Sequence, residues 1–262
     1  MEDQILILAL HRVGKPPREA TLRGLFTSER LLRFQVRLLE AVGFRFTTLR
    51  EAMSGGGGRK AVITFDDGYL DNLTNALPVL GPMNVPATVF AITGDVGKRG
   101  CTWDEAGDKT PSDMLTWEQL RELAAKGWEI GAHADEHVHL AKRPPSEQMK
   151  AIRSSVRSIE ERLGTEPISF AYPYGSYTEE TKGILRSLRV RFAVTTRKPS
   201  PGELRPSDDH LELKRLAVGG WAWHHFAKVA IRSLAVIGFA SLISGLIPSR
   251  TPLLSPIPQV FD

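Results

Sequence analysis

Apolar residues follow two rhythms along the chain. The short unbroken runs Ile5 to Leu10 and Ala61 to Phe65 read as buried strands, since each is too short for a helix and ends in polar or turn-forming residues. Between them Leu31, Leu32, Leu38, Leu39 and Val42 recur at helical spacing; Thr27 and Ser28 offer N-cap oxygens, and Gly43 suits the helix exit. The alternation continues with strands predicted at 44–48, 87–92, 128–130, 169–172 and 192–195, and helices at 116–126, 146–163 and 179–188. Thr116 and Gln119 have capping-box spacing, and Gly127 and Gly164 stand where helices end. The glycine run Gly55 to Gly58 reads as a surface loop, because the alternation resumes unchanged after it. Strands separated by helices over about 220 residues predict a parallel sheet, either a barrel or doubly wound.

Composition narrows the class. With 42% hydrophobic and 24% charged residues in 262, the chain is an ordinary folded one and not a multi-span membrane protein. Its single cysteine, Cys101, rules out an internal disulfide. The net charge of +4 comes without a lysine or arginine run, so nucleic acid is not an expected partner. Met1 to Gln4 is acidic and the apolar run after it is only six residues long, unlike an export signal; the expected location is cytoplasmic. The tail differs from the rest. Ser233 to Ile247 carries no charge, and as a helix it would reach roughly 22 Å against a bilayer core of about 30 Å. Lys228 and Arg232 precede it. Residues 226–247 therefore suit a shallow membrane contact at the inner face, a final helix packed on the domain, or a dimer contact.

Three polar clusters fall at predicted strand ends, where parallel α/β folds gather catalytic groups. Asp66-Asp67-Gly68 follows the strand at 61–65; the pair suits a capped turn, and two adjacent acids also call for a cation or partner. His133, His137 and His139 lie within seven residues, a density that suits a metal site as well as a solvated polar loop. Tyr172-Pro173-Tyr174-Gly175 forms a tight turn that can aim peptide N–H groups inward or simply pack its rings.

As an ordered set these residues resemble the polysaccharide deacetylase family, carbohydrate esterases with a NodB-type homology domain. The resemblance runs from His11-Arg12-Val13-Gly14 through Thr64-Phe65-Asp66-Asp67-Gly68-Tyr69, Val85 to Phe90, Met114-Leu115-Thr116-Trp117 and the histidine cluster to Phe170-Ala171-Tyr172-Pro173-Tyr174-Gly175, over residues 5 to 218. It implies a distorted parallel (β/α) barrel, usually seven-stranded, as a catalytic domain over residues 1–225, followed by the apolar tail 226–262. It also implies metal-dependent hydrolysis of acetyl groups, N-acetyl before O-acetyl, on a polysaccharide, oligosaccharide or lipid-linked sugar. By position, Asp66 resembles the general base and Asp67, His133 and His137 the metal ligands, with zinc expected and cobalt or nickel able to fit the same donors. The Tyr174 amide is the implied oxyanion donor.

The sequence departs from the family at three places. Ala134 stands where Ser or Thr is common, removing a hydroxyl that would brace the loop. Ala171 stands where many members carry an arginine paired to the base, so Asp66 is expected to be less acidic than in those relatives. The late Leu-x-His motif is missing, which leaves His11, or His139, as the general acid, with His11 preferred. The rival reading is a catalytically impaired carbohydrate-binding or scaffold protein; the retained Asp66, Asp67, His133 and His137 argue against it. Trp103, Trp117, Trp221 and Trp223 offer sugar-stacking faces, and none is assigned that role.

Overall fold

The computed structural model describes residues 4–103, 108–196 and 208–219. The apolar tail at 226–262, together with Trp221 and Trp223, lies outside these residues. In chain order the first half contains β1 (Gln4–Leu10), β2 (Arg12–Val13), β3 (Phe26–Thr27), α1 (Glu29–Ala41), β4 (Arg45–Phe46), α2 (Leu49–Met53), β5 (Arg59–Phe65), α3 (Leu77–Leu80) and β6 (Thr88–Ala91). An antiparallel hairpin, β7 (Cys101–Trp103) and β8 (Asp108–Ser112), leads to α4 (Trp117–Ala125) and β9 (Glu129–Ala132). Then come α5 (Pro145–Leu163), β10 (Ser169–Ala171), α6 (Glu179–Ser187), β11 (Phe192–Thr195), β12 (Leu213–Lys214) and β13 (Leu216–Ala217).

The main sheet runs β12-β11-β10-β9-β6-β5-β1-β13, all parallel, with β4 added beside β5. Its two outer strands are consecutive in sequence, and a single residue, Arg215, separates them. The sheet therefore closes on itself through a stave bent at Arg215, and counting β12 and β13 as that one stave makes a seven-membered barrel flanked by β4. Helices cover the outside. Period-two alternation sorts the strand residues: Ile7, Val62, Phe90, Phe192, Val194 and Leu213 share one core, while Leu6, Leu8, Leu10, Ala61, Ile63 and Phe65 share another with Leu32, Val36 and Leu39 of α1. Each such fully buried side chain contributes roughly 1.5–3 kcal/mol relative to exposure.

The expected start and stop signals operate as read. Ser28 caps α1, Thr116 and Gln119 close a reciprocal capping box on α4, and Gly164 ends α5 in the left-handed region at φ 68°. The floor of the barrel holds a buried carboxylate, Glu129. Its Oε2 accepts from the Arg50 amide (2.8 Å) and the Thr88 hydroxyl (3.1 Å), and its Oε1 accepts from the Ser169 hydroxyl (2.7 Å). Every stave points the same way, so His11, Asp66, His133 and Tyr172 follow their strands at one rim.

Candidate active site

The Asp66 amide continues the β1–β5 ladder by donating to Leu10 O (3.0 Å), and the chain then turns sharply through left-handed Asp67 (φ 73°) and Gly68 (φ 80°). Neighbours in a regular strand face opposite ways; this turn lets both carboxylates border one cavity. A Cβ on Gly68 would lie 3.3 Å from Ala91, so β6 also packs tightly against the turn. The cavity, about 140 Å³, is lined by His11, Leu22, Leu25, Asp66, Asp67, His133, His137, Tyr172, Tyr174, Gly175 and Thr196. All six residues singled out in the sequence for catalysis or metal binding thus meet in one place.

Asp67 Oδ1 lies 3.2 Å from His133 Nε2 and 3.4 Å from His137 Nε2, buried and with no hydrogen bond aimed at it. Three donors that lie within 4.8 Å of one another are an arrangement a divalent cation can fill. His133 Nδ1 donates to Ala171 O (2.7 Å), which turns its Nε2 lone pair toward Asp67. Burial alone would raise the Asp67 carboxyl, but the two imidazoles outweigh it and hold the group well below the usual carboxylate range. Burial pushes His137 down to about 4, so this imidazole is neutral and ready to ligate at physiological pH. His133 moves the other way: burial lowers it, but the neighbouring Asp67 and Asp66 carboxylates prevail and raise it.

Asp66 is 4% exposed and bound on both oxygens by one guanidinium, with Arg215 Nη1 to Oδ1 and Nη2 to Oδ2 each 2.6 Å. Arg215 Nη1 also donates to Thr64 Oγ (3.0 Å), whose own hydroxyl donates to Leu8 O (2.7 Å). Burial opposes ionisation of Asp66, and the Arg215 charge and hydrogen bonds overcome it, leaving the carboxyl below its ordinary value. On the other side, His11 Nε2 stands 4.0 Å from Asp66 Oδ2.

Two loops complete the rim. The histidine loop reverses at left-handed Ala134 (φ 61°), and there the Thr93 and Gly94 amides donate to Ala134 O (3.2 Å) and Asp135 O (3.0 Å), while the Thr93 hydroxyl donates to Asp135 Oδ1 (2.7 Å). A Cβ at Gly94 would sit 2.3 Å from Asp135 O, so this approach requires glycine. The aromatic loop places Tyr174 in the left-handed region (φ 56°), and the buried Tyr172 hydroxyl donates to Leu211 O (2.7 Å). Trp117 packs its partly buried ring between two cores, away from the cavity wall.

Comparison with known proteins bears on this geometry. The family model for polysaccharide deacetylases matches residues 54–193, just over half of the chain, and contains the Asp66-Asp67 turn, both metal-site histidines and the aromatic loop. The chain belongs to the polysaccharide deacetylase family. Among relatives of this deacetylase-family chain, YxkH of Bacillus subtilis (strain 168), named for the same family, is 30% identical over 157 residues. That match covers 60% of this chain and 50% of YxkH, so the chain spans about half the length of that curated relative. The poly-beta-1,6-N-acetyl-D-glucosamine N-deacetylase of Staphylococcus aureus (strain MRSA252) is 23% identical over 251 residues, 87% of this chain and 83% of that protein. Of solved structures, IcaB from Ammonifex degensii superposes with a TM-score of 0.72 at 28% identity, covering 87% of this chain and 97% of that one. The Streptococcus pyogenes deacetylase PplD, solved with acetate, shares the fold with a TM-score of 0.73 at 23% identity, covering 88% and 99%.

Against the family pattern, two expectations need correction. Ala171 does not leave Asp66 without a cation: Arg215, from the closing stave, takes that place, so the expected loss of acidity is overturned. The hydroxyl absent at Ala134 is replaced by that of Thr93, which braces the loop from β6 through Asp135. Sequence reasoning missed Arg215. The available signals were an arginine next to Lys214 within the otherwise apolar stretch 213–218 and the need of two adjacent acids for a counter-charge.

Proposed function

We propose that this chain is a metal-dependent hydrolase that removes N-acetyl groups from a polysaccharide or oligosaccharide of acetylated amino sugar. The observation that carries the reading is the pairing, in one cavity, of an ionised Asp66 with three candidate metal donors, Asp67, His133 and His137, that lie within 4.8 Å of one another. A binding or scaffold module has no use for a buried arginine that keeps a carboxylate charged beside such donors. The names of the S. aureus relatives and the likeness to IcaB support amide over ester substrates.

Asp67, His133 and His137 would hold the cation, for which this nitrogen and oxygen donor set makes zinc the first choice, with cobalt or nickel as alternatives. When bound, it supplies Lewis-acid activation of water and of the acyl oxygen. Asp66, fixed by Arg215, accepts the proton of the attacking water as the water oxygen bonds to the acyl carbon. The Tyr174 amide, presented by its left-handed turn, faces the oxyanion of the tetrahedral adduct. The carbon–nitrogen bond then breaks, and His11 delivers a proton to the leaving nitrogen; its Nε2, 4.0 Å from Asp66 Oδ2, gives that proton a short route. Acetate and a free amine leave. The test is metal analysis of the purified chain together with His137→Ala, which is expected to lose both bound zinc and acetate release; full zinc stoichiometry in that variant would overturn the ligand assignment.

A further inference from the structure

His139 has no part in the chemistry above, and its position explains why. It does not line the cavity. Its ring instead lies against Tyr174, with centroids 4.1 Å apart and planes inclined by 27°. The same tyrosine ring meets His137 at 4.3 Å, and His137 stands 5.4 Å from His133. The series His139, Tyr174, His137, His133 therefore runs without a gap from the outside of the histidine loop to the metal donors.

Each member is held where regular secondary structure gives little support. Tyr174 is left-handed inside a three-residue turn, and its hydroxyl reaches His137 O only at 3.4 Å. His139 ends the histidine loop just before the short helical turn at Leu140–Lys142. The two loops are tied there, since the Ala141 amide donates to Ser176 Oγ (3.2 Å).

We infer that His139 is a positioning residue: its ring seats Tyr174, and Tyr174 in turn seats His137 for metal binding. The inference rests on Asp67, His133 and His137 being the metal ligands. It assigns His139 a stacking role against Tyr174.

The test measures zinc affinity of the full chain by competition with a chromophoric chelator, for the parent, His139→Phe, His139→Leu and His139→Ala. Phe and Leu are both bulky and apolar, but only Phe stacks. The Phe variant is expected to stay within about twofold of the parent, and the Leu and Ala variants to lose about threefold to tenfold, the size of one aromatic contact. Cobalt-loaded Phe variant is expected to keep the parent's visible absorption bands, with those of the Leu variant shifted. Equal affinity of the Phe and Leu variants, or a Phe variant as weak as Ala, would overturn the stacking role while leaving the metal site standing. A parent chain that takes up no zinc would overturn the site and the inference together.

Discussion

Replacing Arg215 with Met tests how the barrel holds Asp66, the carboxylate proposed as its general base. The substitution is close in length and removes a guanidinium that is 2% exposed, together with its two 2.6 Å bonds to Asp66 and its 3.0 Å bond to Thr64. Asp66 stays buried without its main counter-charge, and breaking a buried pair typically costs about 3–5 kcal/mol. The sign with pH follows from the shift. The Asp66 carboxyl is held below its ordinary value of 3.8 in the folded chain, so the pair stabilises fully above that value and its contribution fades as pH falls through the lower, folded value. The deficit of the variant is therefore expected to be largest at neutral pH and to shrink in acid. Urea unfolding at pH 7 and at a pH well below 3.8 measures it. With Arg215 gone, burial of Asp66 is opposed only by the His133 and His11 imidazoles, so the acid limb of the kcat/KM profile is expected to move to higher pH. The double variant Asp66→Leu with Arg215→Met is expected to recover much of the stability, since an apolar pair leaves no buried charge. A single variant within about 1 kcal/mol of the parent, against the 3–5 expected for a broken buried pair, with its acid limb unmoved, would refute the argument.

Asp66→Asn is expected to keep bound metal and lose about 10²–10⁴-fold in turnover, read by acetate release, because a neutral amide cannot take the proton from water. Gly94→Ala drives a Cβ to 2.3 Å from Asp135 O; it is expected to weaken zinc binding by displacing the histidine loop, measured by chelator competition against Thr93→Ser as control. Glu129→Leu leaves the Arg50 amide and the Thr88 and Ser169 hydroxyls without their acceptor, and is expected to lower stability by about 2–4 kcal/mol in urea while metal stoichiometry of the folded protein is kept.

The parts legible in the sequence were those written in contiguous residues. β11 falls at 192–195 as read, and α5 begins one residue before its predicted start, because apolar rhythm and caps are local signals. The β7–β8 hairpin went unseen, since Asp108 to Ser112 is a polar stretch with a proline and no alternation. Between Asn72 and Met83 the chain is helical only in short pieces, where Pro78, Gly81 and Pro82 break the helical rhythm. The six candidate residues were found together because they lie in four motifs, each just past a strand end. Arg215 was not: it meets Asp66 across 149 residues, and only closure of the barrel brings the last stave beside β1. The stack of His139 on Tyr174 also depends on two loops meeting in space.

The central claim is tested most directly by acetate released from an oligomer of β-1,6-linked N-acetylglucosamine, measured for the zinc-loaded chain beside the same protein stripped by chelator and then reconstituted. The account predicts release that stops on stripping, returns with one equivalent of zinc, and leaves a free amine for each acetate. Undiminished release from the stripped protein, or no release from a fully loaded one on any N-acetylated glycan, would contradict it.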